Sequence, residues 1–519
     1  MQKELQSNLI KNASYRSMQD SELNFDYSRE VIHIHDKEYF NVSYNCLGIS
    51  LKNIINDIED FDYALTKIEI FITELCNEQS GGIGIINIDE DLKKFAQKNE
   101  KEILVKNFRN FFEKLNANLR KGIENAYVTF NLGQDISEEG RIITKCILEA
   151  LRLGSRDKGR QFIFPNVVFK YKKGVNEDLF SLATEVTAVR MNPTYLNLDS
   201  ELLRDYNPLE IGIMGCRTLV TKNINGKSGS LNRGNVQAIS LNLPKIATIS
   251  KNFDNFIENL EIYMNETMEI LKKKHDVLSE MDKNNFGILT KYNLYVDSDK
   301  ELRKMFSNGT YSIGFIGIWE TLAYLFKKEI SKEFVKDNIE KALEIIKFMR
   351  NKTDYFSNVY GLNVSLLASA GEGICKKFAI DDPNYEYYTN SFHVPVYLEI
   401  NIKNKIEIES KFVKYCNGGN ITYVEFPHPM KENPKTISCA VLGAFEYDIT
   451  YFGINFKLDV CNECNSEGVF DQECPFCSST NIDRYRRVSG YISLKQNLSI
   501  GKAAEEKIRK SNLILETGD

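Results

Sequence analysis

The stretch from Cys461 to Ser493 reads CNECNSEGVFDQECPFC, then SSTNIDRY, then RRVSGYIS. Two Cys-x-x-Cys pairs, Cys461/Cys464 and Cys474/Cys477, are separated by nine residues. Two chelating turns at that separation bring four thiolates to one tetrahedral ion, the pattern of a structural zinc knuckle. The competing reading is four unlinked thiols or two disulfides. A zinc ion with all four positions filled by protein has no open place for substrate, so it holds structure rather than doing chemistry. Directly beyond it, Gly490 stands between cationic, β-branched and aromatic residues.

The rest of the chain sets the frame for this segment. Its 519 residues suffice for a large core, and 42% hydrophobic with 27% charged residues is the balance of a globular protein. A net charge of −6 carries no polyelectrolyte signal, and no basic stripe interleaved with aromatics marks a nucleic-acid polymer as partner. No run approaches the roughly 18 apolar residues of a membrane span, and the N-terminus MQKELQSNLIKN is charged where a signal peptide is apolar. Eleven cysteines, four of them in the zinc spacing, fit a reducing cytoplasm better than a secreted disulfide scaffold. Only 10 prolines and no Pro/Gly/Ser linker interrupt the chain, which points to one large domain with a small C-terminal appendage. The expected units are 1–455, a knuckle at 456–485, and a glycine loop with tail at 486–519.

Helical and strand-like segments alternate. Apolar residues at three- and four-residue spacing predict helices over Leu51–Leu75, Phe95–Leu119, Glu138–Leu151, Phe253–Met281 and Phe334–Met349. Between them Ala126–Leu132, Phe162–Tyr171, Val236–Leu243, Tyr311–Phe315, His393–Ile400 and Ile421–Phe426 read as strands. The alternation argues an α/β fold with largely parallel, doubly covered strands.

Several stretches carry chemistry-bearing residues. Met214-Gly-Cys216-Arg-Thr218 places a thiol between glycine and arginine, either a core cysteine or a reactive one. Asn232-Arg-Gly-Asn235 at a strand entrance reads as a hairpin turn or as close backbone approach to a ligand. His33 and His35 alternate as on one face of a strand, either a hydrogen-bonded pair or, with Asp36, part of a metal site that lacks a fourth partner. Tyr387 to His393 is a polar loop ahead of a strand, and Ser369-Ala-Gly-Glu372-Gly is a small-residue loop able to admit a phosphate or ribose. No Walker A, dinucleotide fingerprint, nucleophile elbow or zincin helix is present.

Taken in order, these stretches resemble the anaerobic (class III) ribonucleoside-triphosphate reductases of the glycyl radical enzyme family. The resemblance runs from about residue 30 to the end. It is carried by His33-Ile-His-Asp36, Asn45-Cys46, Ile163 to Phe169, Met214 to Thr218, Arg233-Gly-Asn235 and Ser240 to Pro244. It continues through Tyr388 to Val394, Gly418 to Glu425, Tyr451-Phe-Gly-Ile-Asn455, the four cysteines and Arg487 to Ile492.

The resemblance implies a ten-stranded α/β barrel of two five-stranded halves, with a small C-terminal zinc-binding and glycyl-radical segment. Two loops would meet inside it, one carrying Cys216 and one Gly490. A separate activase using S-adenosylmethionine and a [4Fe-4S] cluster would take a Cα hydrogen from Gly490. The radical would pass to Cys216, whose thiyl abstracts the ribose 3′-hydrogen. Cys46 would supply the hydrogen that replaces the 2′-hydroxyl, and Asn235 would bond near the ribose hydroxyls or the reductant. His35, Ser369, Glu372, Asn390 and His393 match substrate-binding positions, and structural Zn2+ falls to Cys461, Cys464, Cys474 and Cys477. The implied partners are a ribonucleotide, the activase, formate or a thioredoxin- or glutaredoxin-type dithiol, and a second copy of the chain in a homodimer.

There are departures. About 30 residues precede His33, so the family's common ATP-cone domain, and control through it, is not expected. Gln79-Ser-Gly-Gly-Ile83, Ser369-Ala-Gly-Glu372 and Gly418-Gly-Asn420 differ from the usual family patterns. A related glycyl radical enzyme acting on another substrate is the alternative. A non-catalytic zinc-knuckle protein is a third reading, which would need neither Cys216 nor Gly490.

Overall fold

Val128-Thr-Phe-Asn-Leu132 shows how the chain builds its walls. Successive side chains on a strand point to opposite faces. Val128, Phe130 and Leu132 join the main apolar core, where Phe130 stacks on Phe111 at 6.1 Å between ring centroids. Each such side chain contributes about 2 kcal/mol by leaving water. Thr129 and Asn131 face the other way, where a polar pair needs polar partners, and the strand is buried on both faces. The helix that follows is set by its ends: the Ser137 side chain accepts from Gly140 N–H, Glu138 and Glu139 occupy the first turn, and Gly154 closes it at φ 68°.

The computed structural model describes residues 30–37, 43–117, 126–297, 301–369, 371, 373–488 and 490–512. Ten strands form the barrel path: β1 (Cys46–Ile49), β2 (Ile83–Ile85), β3 (Val128–Leu132), β4 (Asn166–Tyr171), β5 (Thr194–Asn197), β6 (Arg233–Asn242), β7 (Thr310–Ile316), β8 (Asn363–Ala368), β9 (Thr422–Glu425) and β10 (Tyr451–Asn455). Their order is β8-β7-β6-β1-β2-β3-β4-β5-β10-β9, and the short strand Ile32–Ile34 pairs with β6 outside that path. Strands β1 to β5 are mutually parallel. Strands β6, β7 and β8 are parallel, as are β9 and β10. The two halves meet antiparallel at β1·β6 and β5·β10. The remaining gap is bridged where Gly418 N–H donates to Leu366 O at 2.8 Å and Ala368 N–H to Gly419 O at 3.0 Å. The fold is therefore the α/β barrel of two five-stranded halves, with helices such as Phe253–Glu280 and Ile339–Tyr360 outside it.

A hairpin, Ile213–Met214 and Thr218–Leu219, lies inside this barrel. Asn131 anchors it, donating to Ile213 O at 2.9 Å and accepting from Ile213 N–H at 2.7 Å, while Thr129 Oγ1 donates to Gly215 O at 2.7 Å. Two fully buried cations hold its ends. Lys170 on β4 donates to Ile86 O (3.1 Å), Pro208 O (2.9 Å) and Ile211 O (3.2 Å) at the entry. Burial draws its pKa down to about 8, still high enough to keep the ammonium at neutral pH. At the exit Arg233 donates to Thr221 O (2.8 Å), Gly229 O (2.7 Å) and Lys222 O (3.1 Å).

A second sheet follows the barrel: β11 (Leu458–Cys461), β12 (Glu467–Gly468), β13 (Ile482–Arg487) and β14 (Ile492–Leu494), in the order β12-β11-β13-β14. Strand β13 runs across the expected boundary between residues 485 and 486, so knuckle and glycine loop share one sheet.

Some expected elements differ. His393–Ile400 is not a strand. Pro395 removes a ladder donor, and the backbone is bonded instead by Trp319 Nε1, which donates to His393 O at 2.9 Å, and by Glu409, which accepts from Val394 N–H at 3.0 Å. Leu51–Leu75 is broken into Lys52–Ile55 and Phe61–Leu75, because Asp60 caps the second helix by accepting from Tyr63 N–H. Phe334–Met349 divides into Lys332–Asp337 and Ile339–Tyr360.

Replacing Lys170 with Met leaves the Pro208 and Ile211 carbonyls without their donor. Urea unfolding of Lys170→Met is expected to show a loss of about 3 kcal/mol. An unchanged midpoint would mean that the ammonium does not anchor the hairpin.

Candidate functional site

Three backbones converge at the hairpin tip. Gly215 adopts φ +60°, the left-handed region open to glycine. A Cβ placed on Gly82 would lie 2.3 Å from Gly215 Cα, and one placed on Gly490 would lie 2.5 Å from Cys216 Cβ and 3.3 Å from its Sγ. The Gly490 Cα therefore sits directly against the Cys216 thiol, inside the barrel.

The loop around Gly490 is fixed on each side. Tyr491 stacks on Tyr127 with centroids 5.0 Å apart and planes at 21°, and packs on Phe164 at 5.4 Å. Its hydroxyl reaches the Gly82 and Gly215 backbones. Tyr423 Oη donates to Gly490 O at 3.2 Å, and Asn455 Nδ2 donates to Arg487 O at 2.7 Å. Arg509 donates to Val488 O at 2.9 Å and pairs with Glu425 and Glu505.

Cys46, on β1, stands opposite Asn235 on β6 in antiparallel register, so both side chains share the inner face. The Cys46 sulfur accepts from Gly82 N–H at 3.3 Å and Thr218 Oγ1 at 3.6 Å. Burial pushes its thiol up to about 12, against the pull of those two donors. It therefore keeps its S–H at neutral pH, the state needed to deliver a hydrogen atom.

Cys46 and Cys216 face one cavity of about 580 Å³, whose lining also includes His35, Asn45, Lys377 and Tyr491. This is the size of a small-ligand site. His35 is hydrogen bonded to Ser240 Oγ at 2.7 Å, and His33 Nδ1 accepts from Lys377 Nζ at 2.9 Å. Burial lowers His35 to about 4 and His33 to about 2, so both rings are neutral. Among the described residues the histidines belong to no cluster of three or more potential metal ligands.

Among the described residues, the other sequence-derived ones do not line this cavity. Asn235 has its amide engaged in the wall, within hydrogen-bond reach of Thr310 O at 2.7 Å, Ser312 Oγ at 3.0 Å and Gln237 O at 3.1 Å. Ser369 is buried and bonded to Ser240 Oγ at 2.5 Å. Asn390 and His393 line a second, narrower hollow with Arg217, Tyr423 and Arg509. Asn390 Oδ1 accepts from Gly371 N–H at 3.1 Å, and His393 Nε2 is bonded to Ile421 O at 2.5 Å. Glu372 lies outside the described residues. Sequence reasoning missed Lys377, Thr218, Tyr423 and Tyr491 as parts of this region. Tyr491 had a signal in its adjacency to Gly490; Lys377 had none.

The cysteines of the knuckle fit a metal. Their four Sγ atoms all lie within 4.8 Å of one another, with Cys461–Cys477 at 3.5 Å and Cys464–Cys474 at 3.6 Å. Tetrahedral zinc with bonds of about 2.3 Å puts its sulfurs about 3.8 Å apart.

Comparison with known proteins gives a consistent result. The family model described as anaerobic ribonucleoside-triphosphate reductase matches residues 1–511. The anaerobic ribonucleoside-triphosphate reductase of Escherichia coli (strain K12) is 27% identical, over 93% of this chain and 77% of that protein. The enzyme of the same name from Enterobacteria phage T4 is 25% identical, over 97% of this chain and 93% of that one. The crystal structure of the anaerobic ribonucleotide reductase from Thermotoga maritima in complex with dATP and CTP superposes with a TM-score of 0.71 at 18% identity, covering 97% and 88% of the two chains.

The Cys46 environment has a chemical signature. Iodoacetamide labelling of an ordinary exposed thiol rises roughly tenfold as pH passes about 8.5. Labelling of Cys46, followed by mass spectrometry from pH 7 to 9, is expected to stay slow and to keep rising with pH without levelling off, because its midpoint lies at about 12. A Cys46 midpoint near pH 8.5 would contradict a dry, protonated thiol.

Proposed function

The chain belongs to the anaerobic ribonucleoside-triphosphate reductase family, and from that premise we propose that Gly490 stores the radical and Cys216 applies it to the substrate. The protein is an oxidoreductase that reduces ribonucleoside triphosphates to their 2′-deoxy forms by radical chemistry. The observation that carries the assignment of roles is the contact between Gly490 and Cys216, too close for any side chain at residue 490.

In this reading an activating enzyme that uses S-adenosylmethionine and an iron–sulfur cluster removes one Cα hydrogen from Gly490. The Gly490 radical takes the hydrogen of the Cys216 thiol, and the Cys216 sulfur then takes the ribose 3′-hydrogen. The 2′-hydroxyl leaves with a proton as water. Cys46 gives its hydrogen atom to C2′, which its protonated state supports. Cys216 finally returns a hydrogen to C3′ and recovers one from Gly490, restoring the stored radical. An enclosed site of this kind keeps water and stray reductants from the intermediates.

Two electrons must still be supplied. Among the described residues Cys46 and Cys216 are the cysteines that line the cavity. Cys46 thus has no second non-radical thiol there with which to close a disulfide. This favours formate, which can give a hydrogen atom to the Cys46 sulfur and its remaining electron to the 3′-carbon as it becomes carbon dioxide, over an external dithiol. Zinc held by Cys461, Cys464, Cys474 and Cys477 would supply a rigid crosslink in the sheet that carries the radical loop. The reading further includes a reducing cytoplasm as the setting and a homodimer as the working form.

Anaerobic activation should give an electron paramagnetic resonance doublet that is missing from Gly490→Ala. Cys216→Ser should keep the doublet and lose turnover by roughly a thousandfold or more. Labelled formate should appear as carbon dioxide in a one-to-one ratio with deoxynucleotide. A doublet in Gly490→Ala, or turnover in Cys216→Ser, would refute the respective role, and turnover with a dithiol alone would refute formate.

A further inference from the structure

Strand β9 starts just after Gly418-Gly419 and points Tyr423 at the radical loop. Its hydroxyl donates to the carbonyl oxygen of Gly490 at 3.2 Å. The ring is caged to make that bond. Tyr423 is in register with Gly453 on the parallel neighbour β10, and a Cβ on Gly453 would fall 2.3 Å from Tyr423 Cε1. The glycine of Tyr451-Phe-Gly-Ile-Asn455 is thus the space into which the phenol ring fits. The Arg487 guanidinium lies 5.7 Å from the ring centroid. Burial raises the phenol's pKa, with Arg487, Arg217 and Arg509 pulling the other way, so the group stays an O–H donor across the neutral range.

We infer that Tyr423 is a positioning residue for the radical: its hydroxyl, bonded to the Gly490 carbonyl, stabilises the unpaired electron on Gly490 and fixes the plane of that peptide against Cys216. The inference rests on the assignment of Gly490 as the radical glycine. Its basis is the electronic structure of such a centre. Loss of one hydrogen leaves a planar Cα whose half-filled orbital conjugates with its own carbonyl and with its amide nitrogen. Nitrogen donates density and the carbonyl oxygen receives it. A hydrogen bond to that oxygen strengthens as the density arrives, so it favours the radical over the C–H form. The same bond holds the carbonyl direction, and with it the face of Cα turned to the Cys216 sulfur. Tyr423 gives up no hydrogen in this role; it donates a hydrogen bond throughout.

Two variants and one isotope experiment test it on the full chain, activated anaerobically. Tyr423→Phe keeps the ring and removes the hydroxyl. Gly453→Ala keeps the hydroxyl and pushes the ring out of place. Both are expected to alter the α-hydrogen splitting of the doublet and to shorten the anaerobic lifetime of the radical by roughly 3- to 10-fold, the worth of one such hydrogen bond. In wild-type protein exchanged into D2O, electron–nuclear double resonance should detect a deuteron coupled to the radical that is missing in Tyr423→Phe. An unchanged splitting and lifetime in Tyr423→Phe, or the same deuteron coupling in that variant, would overturn the inference while leaving Gly490 as the radical site. A wild-type doublet that survives Gly490→Ala would instead refute the glycine assignment, and this inference with it.

Discussion

The Cys216 hairpin depends on two buried cations. Its paired portion is only two residues on each side, too short to hold itself. Lys170 gathers the carbonyls at its entry and Arg233 those at its exit. A carbonyl inside a protein costs free energy unless it is paired, and a loop threaded through a barrel exposes many of them. Long cations resolve this, since one ammonium or guanidinium satisfies several oxygens from different segments. The wall strands supply the rest through Thr129 and Asn131. The barrel interior is thus a polar socket shaped around one loop, and the thiol position follows from it.

The second loop is held by different means. Arg486 pairs with Asp459 at 2.8 Å and with Glu506 at 2.9 Å, all three buried. These bonds tie the C-terminal end of β13 to β11 and to the C-terminal helix Ile500–Ile508. The cysteine cluster lies at the far end of the same β11–β13 pair. With the cysteine cluster at one end of this pair and the ion pairs at the other, the glycine loop is the connection between β13 and β14. Tyr491, just before β14, is pressed onto Tyr127 of the barrel. The knuckle is thus joined to the glycine loop through β13.

Much of this was legible in the sequence, unevenly. The zinc spacing is a local signal and stands in the structure as four converging sulfurs. Strands rich in Val, Ile and Phe, such as β3 and β7, were readable. Strands β1, β2 and β5 were not, because they are three or four residues long and two of them contain glycine. Lys170 in mid-strand reads as a surface residue, and only the loop it grips makes it an interior one. His393–Ile400 reads as a strand from its apolar run, which is ambiguous on its own, and Pro395 within it argues against a ladder. The pairing of Cys46, Cys216 and Gly490 came from resemblance; no local pattern connects residues so far apart. Asn390 and His393 line a hollow separate from the thiol cavity, and Arg217, next to Cys216 in the hairpin, borders both.

Gly82, Gly215 and Gly490 meet where backbone touches backbone or thiol. In an ordinary core, a larger side chain at one place can be offset by a smaller one nearby, and sequences drift by such exchanges. No exchange of that kind exists here, since none of the three has a side chain to shrink. A replacement at any of them can be accommodated only by moving main chain, which moves the thiol. This small region therefore has almost no mutational freedom, however tolerant the helices around it are, and any route by which the protein changes its substrate must begin further out in the cavity.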